Sequence, residues 1–502
     1  MPEDESPVYE IAEPRPSAMI ESLRAVGYSL PTAVADLVDN SIAALAQNVW
    51  IHFEWNGSES YVSIRDDGHG MDEKELVNAM TLGSRSPLEA RGYQDLGRFG
   101  LGLKTASFSQ CRKLIVRSQR AAGQASLRCW DLDYVSNKAE WRLLKQVDTN
   151  NSGALAAIDT FQSGTVVLWE ILDRLVSATA NISEKRAHTR FLESIRDVER
   201  HLAMVFHRFL ERRNPLRIWI NGNLIEPWDP FLKSETATQS LPEEVIQLSS
   251  GIIRVSPYVL PHHSKLSEDV FKLASGVNGW NAQQGFYVYR NERLLVPGHW
   301  LGFGFQKEEH YKLARIQVDV PTSMDFEWAI DVKKSRARPP ADAREPLRKL
   351  ARLTREVASG IYRNKGRIIG RTISDDFVFI WLRHDKQGKI SYKINREHPL
   401  VLAALSGSQD DKSRVNALLR LVEETVPKEQ IWIDNQESLE SRTEPFEGAE
   451  RREIESLLDE IYSYFSSNNM ASDLIRERLC SMEPFSRFPE LVERVCNRRG
   501  RH

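Results

Sequence analysis

Asp36-Leu37-Val38-Asp39-Asn40, Asp66-Asp67-Gly68-His69-Gly70-Met71 and Gly97-Arg98-Phe99-Gly100-Leu101-Gly102-Leu103-Lys104 decide how this chain is read. In the first stretch Asp36 and Asn40 are four apart, so they project from one face of a helix. Val34, Leu37 and Val38 would bury that helix, and polar groups leaving a buried helix need partners. A hydrated magnesium ion on a polyphosphate supplies them. A solvated Asp-Asn face on a surface helix gives the same letters. The second stretch ends a strand in Asp66, whose carboxylate accepts a hydrogen bond from an exocyclic amine. Gly68 and Gly70 let the backbone pass close to a flat ring, and Met71 offers a soft apolar contact. An ordinary Asp-Gly turn is the plainer alternative. In the third stretch Gly97, Gly100, Leu101, Gly102 and Leu103 expose backbone amides and run into a helix, whose N-terminal end favours phosphate. Lys104 adds a point charge. A glycine-rich hinge reads the same way. The spacing matches neither a P-loop nor a dinucleotide fingerprint.

Outward from these stretches, residues 17–47 carry helical periodicity. Val49–Trp55 alternates like a strand, Asn56-Gly57 turns, and Tyr61–Arg65 is its hairpin partner. Asp72–Met80 and Leu103–Ser109 read as helices, with a loop over Ser84–Leu96 between them. Lys113–Ser118, Ala125–Leu132 and Gly164–Glu170 read as strands, the last closing the domain. A charged helical connector is expected over about 183–213. A second α/β region then opens with Leu216–Asn223 and continues through Gly285–Asn291 and Ala314–Val320. Asp342 to about Arg363 is a long basic helix. Phe377–Leu382 starts a separate region of strand and Glu/Arg-rich helices.

The composition bounds the class. At 502 residues the chain needs several domains. Its 41% hydrophobic and 27% charged content is that of an ordinary globular protein, and its net charge of −3 argues against wholesale coating of nucleic acid. Four scattered cysteines have neither metal-ligand spacing nor a disulfide framework, which suits a reducing cytoplasm. No apolar run approaches a membrane span, and the acidic start Met1–Glu5 is unlike a secretory leader.

In this order the three stretches resemble the N, G1 and G2 boxes of the GHKL ATPases, the superfamily of gyrase B subunits, heat-shock chaperones, histidine kinases and MutL proteins. The Asn40–Asp66 interval agrees, and Thr165 after Ser163-Gly164 resembles the threonine of the family's later Gly-Thr strand. The likeness is specific over about 15–175. It implies an α/β Bergerat-fold sandwich that binds ATP and Mg2+. Asp36 then occupies the place of the base that polarises the attacking water, and Asn40 that of the magnesium ligand. The usual base is Glu, and misplacement by about 1 Å costs roughly 10²-fold in rate, so turnover is expected to be slow. Ala43 stands where the family often has an acid.

Farther on, Asn221-Gly222, Pro227–Phe231, Tyr289–Leu295 and Ile330–Ser335 look like the ribosomal-protein-S5-like transducer of MORC-type and MutL-type members. The resemblance implies that Lys333 or Lys334 reaches the γ-phosphate; a solvated basic turn is the alternative. The expected domains are an arm at 1–20, the ATP-binding domain at 21–180, a connector and transducer at 181–371, and a C-terminal mixed or helical domain at 372–502. From 333 to 371 there are thirteen basic residues against three acids. Such an excess suits a phosphate backbone, with Arg348, Arg352 and Arg355 on one helical face; a surface helix balanced by acidic neighbours is the alternative.

The function expected from this resemblance is a MORC-like, ATP-hydrolysing conformational switch. It closes as a nucleotide-dependent homodimer when ATP orders the Ser84–Leu96 lid and the arm. DNA-directed work, such as antiviral defence with operon-encoded partners bound through 372–502, rests on resemblance alone. A chaperone-like ATPase acting on proteins is the alternative. A histidine kinase is disfavoured, because no phosphoacceptor-histidine helix precedes the ATP domain.

Overall fold

The computed structural model describes residue 10 and residues 14–25, 27–84, 102–176, 184–330, 337–363, 380–386, 389–406, 408–427, 451–467, 470–480, 482, 485 and 488–499. The chain divides into two compact units, Met1–Arg367 and Ile368–His502.

The first unit opens with α1 (Pro16–Arg24) and α2 (Leu30–Ala43). Helical periodicity over 17–47 therefore belongs to two helices. Gly27, at φ +81°, lies in the break between them. α2 starts where Ser29 and Thr32 cap each other reciprocally, with Pro31 in its first turn. Its residues Ala33 to Asp39 are all buried.

The first sheet contains β1 (Asn48–Glu54), β2 (Tyr61–Asp66), β3 (Lys113–Gln119), β4 (Ser126–Asp131), β5 (Gly164–Glu170), β6 (Arg217–Ile220) and β7 (Asn223–Leu224). Their spatial order is β4-β3-β5-β2-β1-β6-β7. Pairing is antiparallel except between β1 and β6. Along β5, which is buried on both faces, Val167 and Trp169 enter one apolar cluster while Val166 and Leu168 enter another. This is the period-two consequence of the pleat. The larger cluster receives α1, α2, α3 (Glu73–Met80), α4 (Gly102–Phe108), α5 (Leu132–Lys138) and α7 (Glu184–Val205). The smaller one lies under α6 (Ser152–Ala156).

Two sequence expectations are corrected here. Leu216–Asn223 does not open the second region: β6 pairs in parallel with β1, with Val49 opposite Ile218. The first sheet therefore closes there and not at Gly164–Glu170. The charged connector is also a core element, because α7 sends Phe191, Val198, Leu202 and Val205 into the larger cluster while its charges face outward.

After α8 (His207–Leu210), the second sheet comprises β8 (Gln239–Ser240), β9 (Glu244–Leu248), β10 (Gly251–Val259), β11 (Gly285–Arg290), β12 (Arg293–His299) and β13 (Ala314–Val320). Its order is β12-β11-β13-β10-β8, with β9 also on β10. The short helices α9 (Glu268–Ala274) and α10 (Gly279–Ala282) precede β11. The long helix α11 (Ala341–Arg363) covers a second core through Ala343, Leu347, Leu350, Ala351 and Ala358. Tyr287, Tyr289 and Leu294 of the β11–β12 hairpin join the larger cluster of the first sheet, so the two layers meet at this hairpin.

The second unit has the hairpin β14 (Trp381–Lys386) and β15 (Lys389–Ile394), then α12 (Pro399–Ala404), α13 (Gln409–Glu424), α14 (Arg451–Ser467), α15 (Ser472–Cys480) and α16 (Pro489–Arg499). The last three pack around Leu458, Ile461, Leu479 and Val492. Among the described residues no helix is long and apolar enough to cross a membrane.

Candidate nucleotide site

A helix buried along most of its length forces its buried polar residues to find partners, and Asp36, Asp39 and Ser41 of α2 each find a different one. Asp36, 3% exposed, accepts a hydrogen bond at Oδ2 from the Tyr28 hydroxyl at 2.7 Å. Burial, and then the Asp36 charge, push the Tyr28 phenol far above its usual range. Asp39 accepts at both carboxylate oxygens from Arg293 Nε, each at 2.8 Å. Ser41 donates to Asp66 Oδ2 at 2.9 Å. Asn40, one turn after Asp36, is exposed.

Asp66 ends β2 opposite Thr165, the second residue of β5. Its Oδ1 accepts from the Gly68 amide at 3.0 Å, so both oxygens are held in one orientation. Burial raises its pKa to about 6 against the lowering effect of the Gly68 and Ser41 hydrogen bonds. Each oxygen keeps lone-pair capacity for a further donor. Neighbouring Asp67 instead accepts from the Gln47 and Asn48 amides at 2.8 Å and fixes the start of β1.

Gly68 and Gly70 are demanded by close approach. A Cβ on Gly70, at φ +65°, would lie 1.8 Å from the Gln119 carbonyl oxygen. One on Gly68 would lie 2.7 Å from the Ala44 Cβ. Gly102 faces Asp36, with a Cβ position 3.4 Å from Asp36 Oδ2. Met71 packs against the larger cluster, and its amide donates to Ser118 Oγ at 2.8 Å. Ser118 Oγ is also 2.8 Å from Thr165 Oγ1. Thr165 is thus part of a hydroxyl pair at the strand ends.

Lys104 is 1% exposed and donates to the Ala79 carbonyl at 2.8 Å, and desolvation lowers its pKa to about 8. Its hydrogen bond ties α4 to α3. Leu103 is partly buried against the larger cluster. Gly97, Gly100, Leu101, Lys333, Lys334, nearly all of the Ser84–Leu96 loop and most of the N-terminal arm lie outside the described residues.

The basic helix departs from expectation at one position. Arg348 and Arg352 are exposed, with Arg348 3.7 Å from Glu345. Arg355 is only 8% exposed; its guanidinium lies 3.8 Å from the Tyr311 ring centre, 4.4 Å from that of Phe305 and 3.8 Å from Glu308. The helical phase does align the three arginines, but the 309–311 turn and its aromatic neighbours cover one end of that face. Arg355 is therefore a packing residue, not a partner for an external phosphate.

Sequence reasoning assigned no role to Tyr28, Ser41, Ser118 or Arg293. Ser41 follows the Asp-Asn pair directly, and its small hydroxyl on a buried helix was a readable signal. Arg293 stands 254 residues from Asp39 in the chain, and no local pattern announces that contact.

A strand-end carboxylate, glycines at the strand turns and an acidic buried helix across from them define a Bergerat-type nucleotide-binding domain. Residues 28–165 match the family model described as histidine kinase-, DNA gyrase B- and HSP90-like ATPase. This region is a GHKL ATPase domain. A segment of 89 residues is 35% identical to ATPase morc-1 of Caenorhabditis elegans, covering 18% of this chain and 10% of that protein.

Proposed function

We propose that the chain is an ATP-dependent conformational switch that hydrolyses ATP to ADP and phosphate. The observation that carries this reading is the wiring of α2. One buried helix holds Asp36 through Tyr28 and reaches the Asp66 strand end through Ser41. Asp66 accepts the adenine amine, on a turn that Gly68 and Gly70 let pass close against Ala44 and Gln119, with Met71 beside it. Asp36 orients the attacking water and takes its proton. Asn40 presents an exposed amide oxygen one turn away, which suits a mostly hydrated Mg2+. That ion supplies charge neutralisation between the phosphates when bound. Among the described residues no cluster of three or more His, Cys, Asp or Glu side chains forms a metal cage. A magnesium ion carried mainly by the nucleotide and water needs none.

The amides of 97–103 cradle the phosphates in this reading, and Lys333 or Lys334 reports the γ-phosphate to the second sheet. ATP brings two copies together as a clamp, and hydrolysis releases them. The wider setting we assign is DNA-directed work such as antiviral defence. It rests on the MORC-type resemblance and on the exposed basic positions Arg348 and Arg352 of α11. The test is ATP turnover with and without duplex DNA, together with sedimentation with and without a non-hydrolysable ATP analogue. Turnover and an analogue-dependent dimer are expected. Charge reversal at Arg348 and Arg352 should lower the slope of log DNA affinity against log salt by about one unit per lost contact. No turnover sinks the ATPase reading. Unchanged sedimentation sinks the clamp. Turnover without DNA binding even at low salt leaves the protein-directed alternative in its place.

A further inference from the structure

The turn between β11 and β12 anchors three charged side chains on three separate segments. Asn291 and Glu292 both take left-handed backbone, at φ +46° and +67°, the form of a tight two-residue hairpin turn. Before it, Arg290 Nε donates to Asp325 at 2.7 Å. Within it, Glu292 accepts from Arg212 Nε at 2.7 Å. After it, Arg293 Nε reaches both oxygens of Asp39, and its Nη2 lies 3.9 Å from Asp36 Oδ1. The Arg293 side chain is 4% exposed, that of Asp39 1% and that of Asp36 2%. Asp36 is therefore held on one oxygen by the Tyr28 hydroxyl and flanked at the other by a guanidinium from the second sheet.

We propose that Arg293 is a positioning residue for ATP hydrolysis: through Asp39 it fixes α2, and with it Asp36, to the β11–β12 hairpin. The inference rests on the ATPase reading above and deepens it. Burying an ion pair is a poor way to gain stability, because desolvation offsets most of the attraction. Such a pair does specify register. Here the register is that of the acid against the sheet that precedes the 331–336 segment. Asp36 is a short acid, and small displacements of a catalytic base are costly in rate. A hairpin that shifts relative to α2 thus changes turnover without touching the nucleotide's adenine end.

The test uses the full chain and MgATP as the probe. It compares wild type, Arg293→Lys, Arg293→Met and the double variant Arg293→Met with Asp39→Asn. The readouts are kcat, the dissociation constant by calorimetry and the thermal melt. Arg293→Met is expected to lower kcat at least tenfold and to change the dissociation constant by less than about threefold. The double variant, which removes the Asp39 carboxylate along with its partner, is expected to melt closer to wild type yet keep the low kcat. Arg293→Lys should fold and recover only part of kcat, since an ammonium lacks the guanidinium's planar fork. A folded double variant with wild-type kcat overturns the proposal, as does a loss confined to the dissociation constant. Wild-type turnover with an indifferent Arg293→Met sinks this inference alone. No turnover in wild type sinks the ATPase reading and the inference with it.

Discussion

The two ends of the candidate nucleotide site are built differently. The Asp66 end is self-contained: its carboxylate is held by Ser41 and Gly68, Gly70 passes against backbone of the same sheet, and Gly68 passes against Ala44 at the end of α2. The Asp36 end is shared: Tyr28 holds the acid from within the first layer, while Arg293 reaches its neighbour Asp39 from the second sheet. In the proposed reading, recognition of the base uses a rigid frame, and the first layer alone provides it. The acid that acts on the attacking water is, in the same reading, positioned by a residue from the second layer. The contrast predicts that binding and turnover are separable by mutation.

The largest effect should come from the shared end. Asp36→Ala is expected to cut turnover by about 10²–10⁴-fold, the usual worth of a general base, while the nucleotide dissociation constant stays within a few-fold. Rapid-quench hydrolysis beside calorimetry reads both quantities. Wild-type turnover in this variant removes Asp36 from the chemistry and breaks the comparison at that end.

At the self-contained end the backbone is the vulnerable part. Gly70→Ala places a Cβ 1.8 Å from the Gln119 carbonyl oxygen at a φ of +65°. Neither the left-handed backbone nor a carbonyl in a sheet yields cheaply, so a loss of about 2–4 kcal/mol is expected in urea unfolding. An unaltered midpoint would mean that the turn is free to move, contrary to a rigid frame.

Much of this site was legible in the sequence because its rules are local. Asp36 and Asn40 share a helix face by spacing alone, and a glycine at a strand turn states its own steric need. What stayed hidden depends on which distant element covers which. The β1–β6 pairing joins residues 48–51 to 217–220, and a strand's sequence does not name its neighbour. The α7 stripe was written in a charged helix whose apolar residues are sparse, so it reads as a linker until Phe191 and Leu202 are seen in the core. Arg355 had the right phase, but a phase does not say that Tyr311 and Phe305 lie over it.

Asp66→Asn isolates recognition of the base. The amide keeps the shape, but it presents a donor or breaks the Ser41 and Gly68 hydrogen bonds. An unsatisfied buried donor costs about 1–3 kcal/mol, which corresponds to a roughly 5–150-fold weaker dissociation constant. Turnover at saturating ATP should fall far less than in Asp36→Ala. Equal losses in both quantities would mean that the two ends act as one unit.

The smallest effect is the sharpest probe of the self-contained end, because it needs no change in shape. Burial raises the Asp66 pKa to about 6. The adenine amine is a donor, so it binds the ionised carboxylate, and binding draws the pKa down. Affinity is therefore full well above pH 6 and falls as pH drops through that value, by about tenfold between pH 7 and 5 if only the ionised form binds. The phosphates of ATP titrate in the same range, so the measured quantity is the ratio of wild-type to Asp66→Asn affinity at each pH. Asparagine does not titrate, and the phosphate contribution cancels. The ratio should shrink steadily as the pH falls from 7 to 5. A ratio that is constant across this range, together with an Asp66→Asn affinity equal to wild type at pH 7, would show that Asp66 is not the acceptor, and the self-contained end would lose its recognition element.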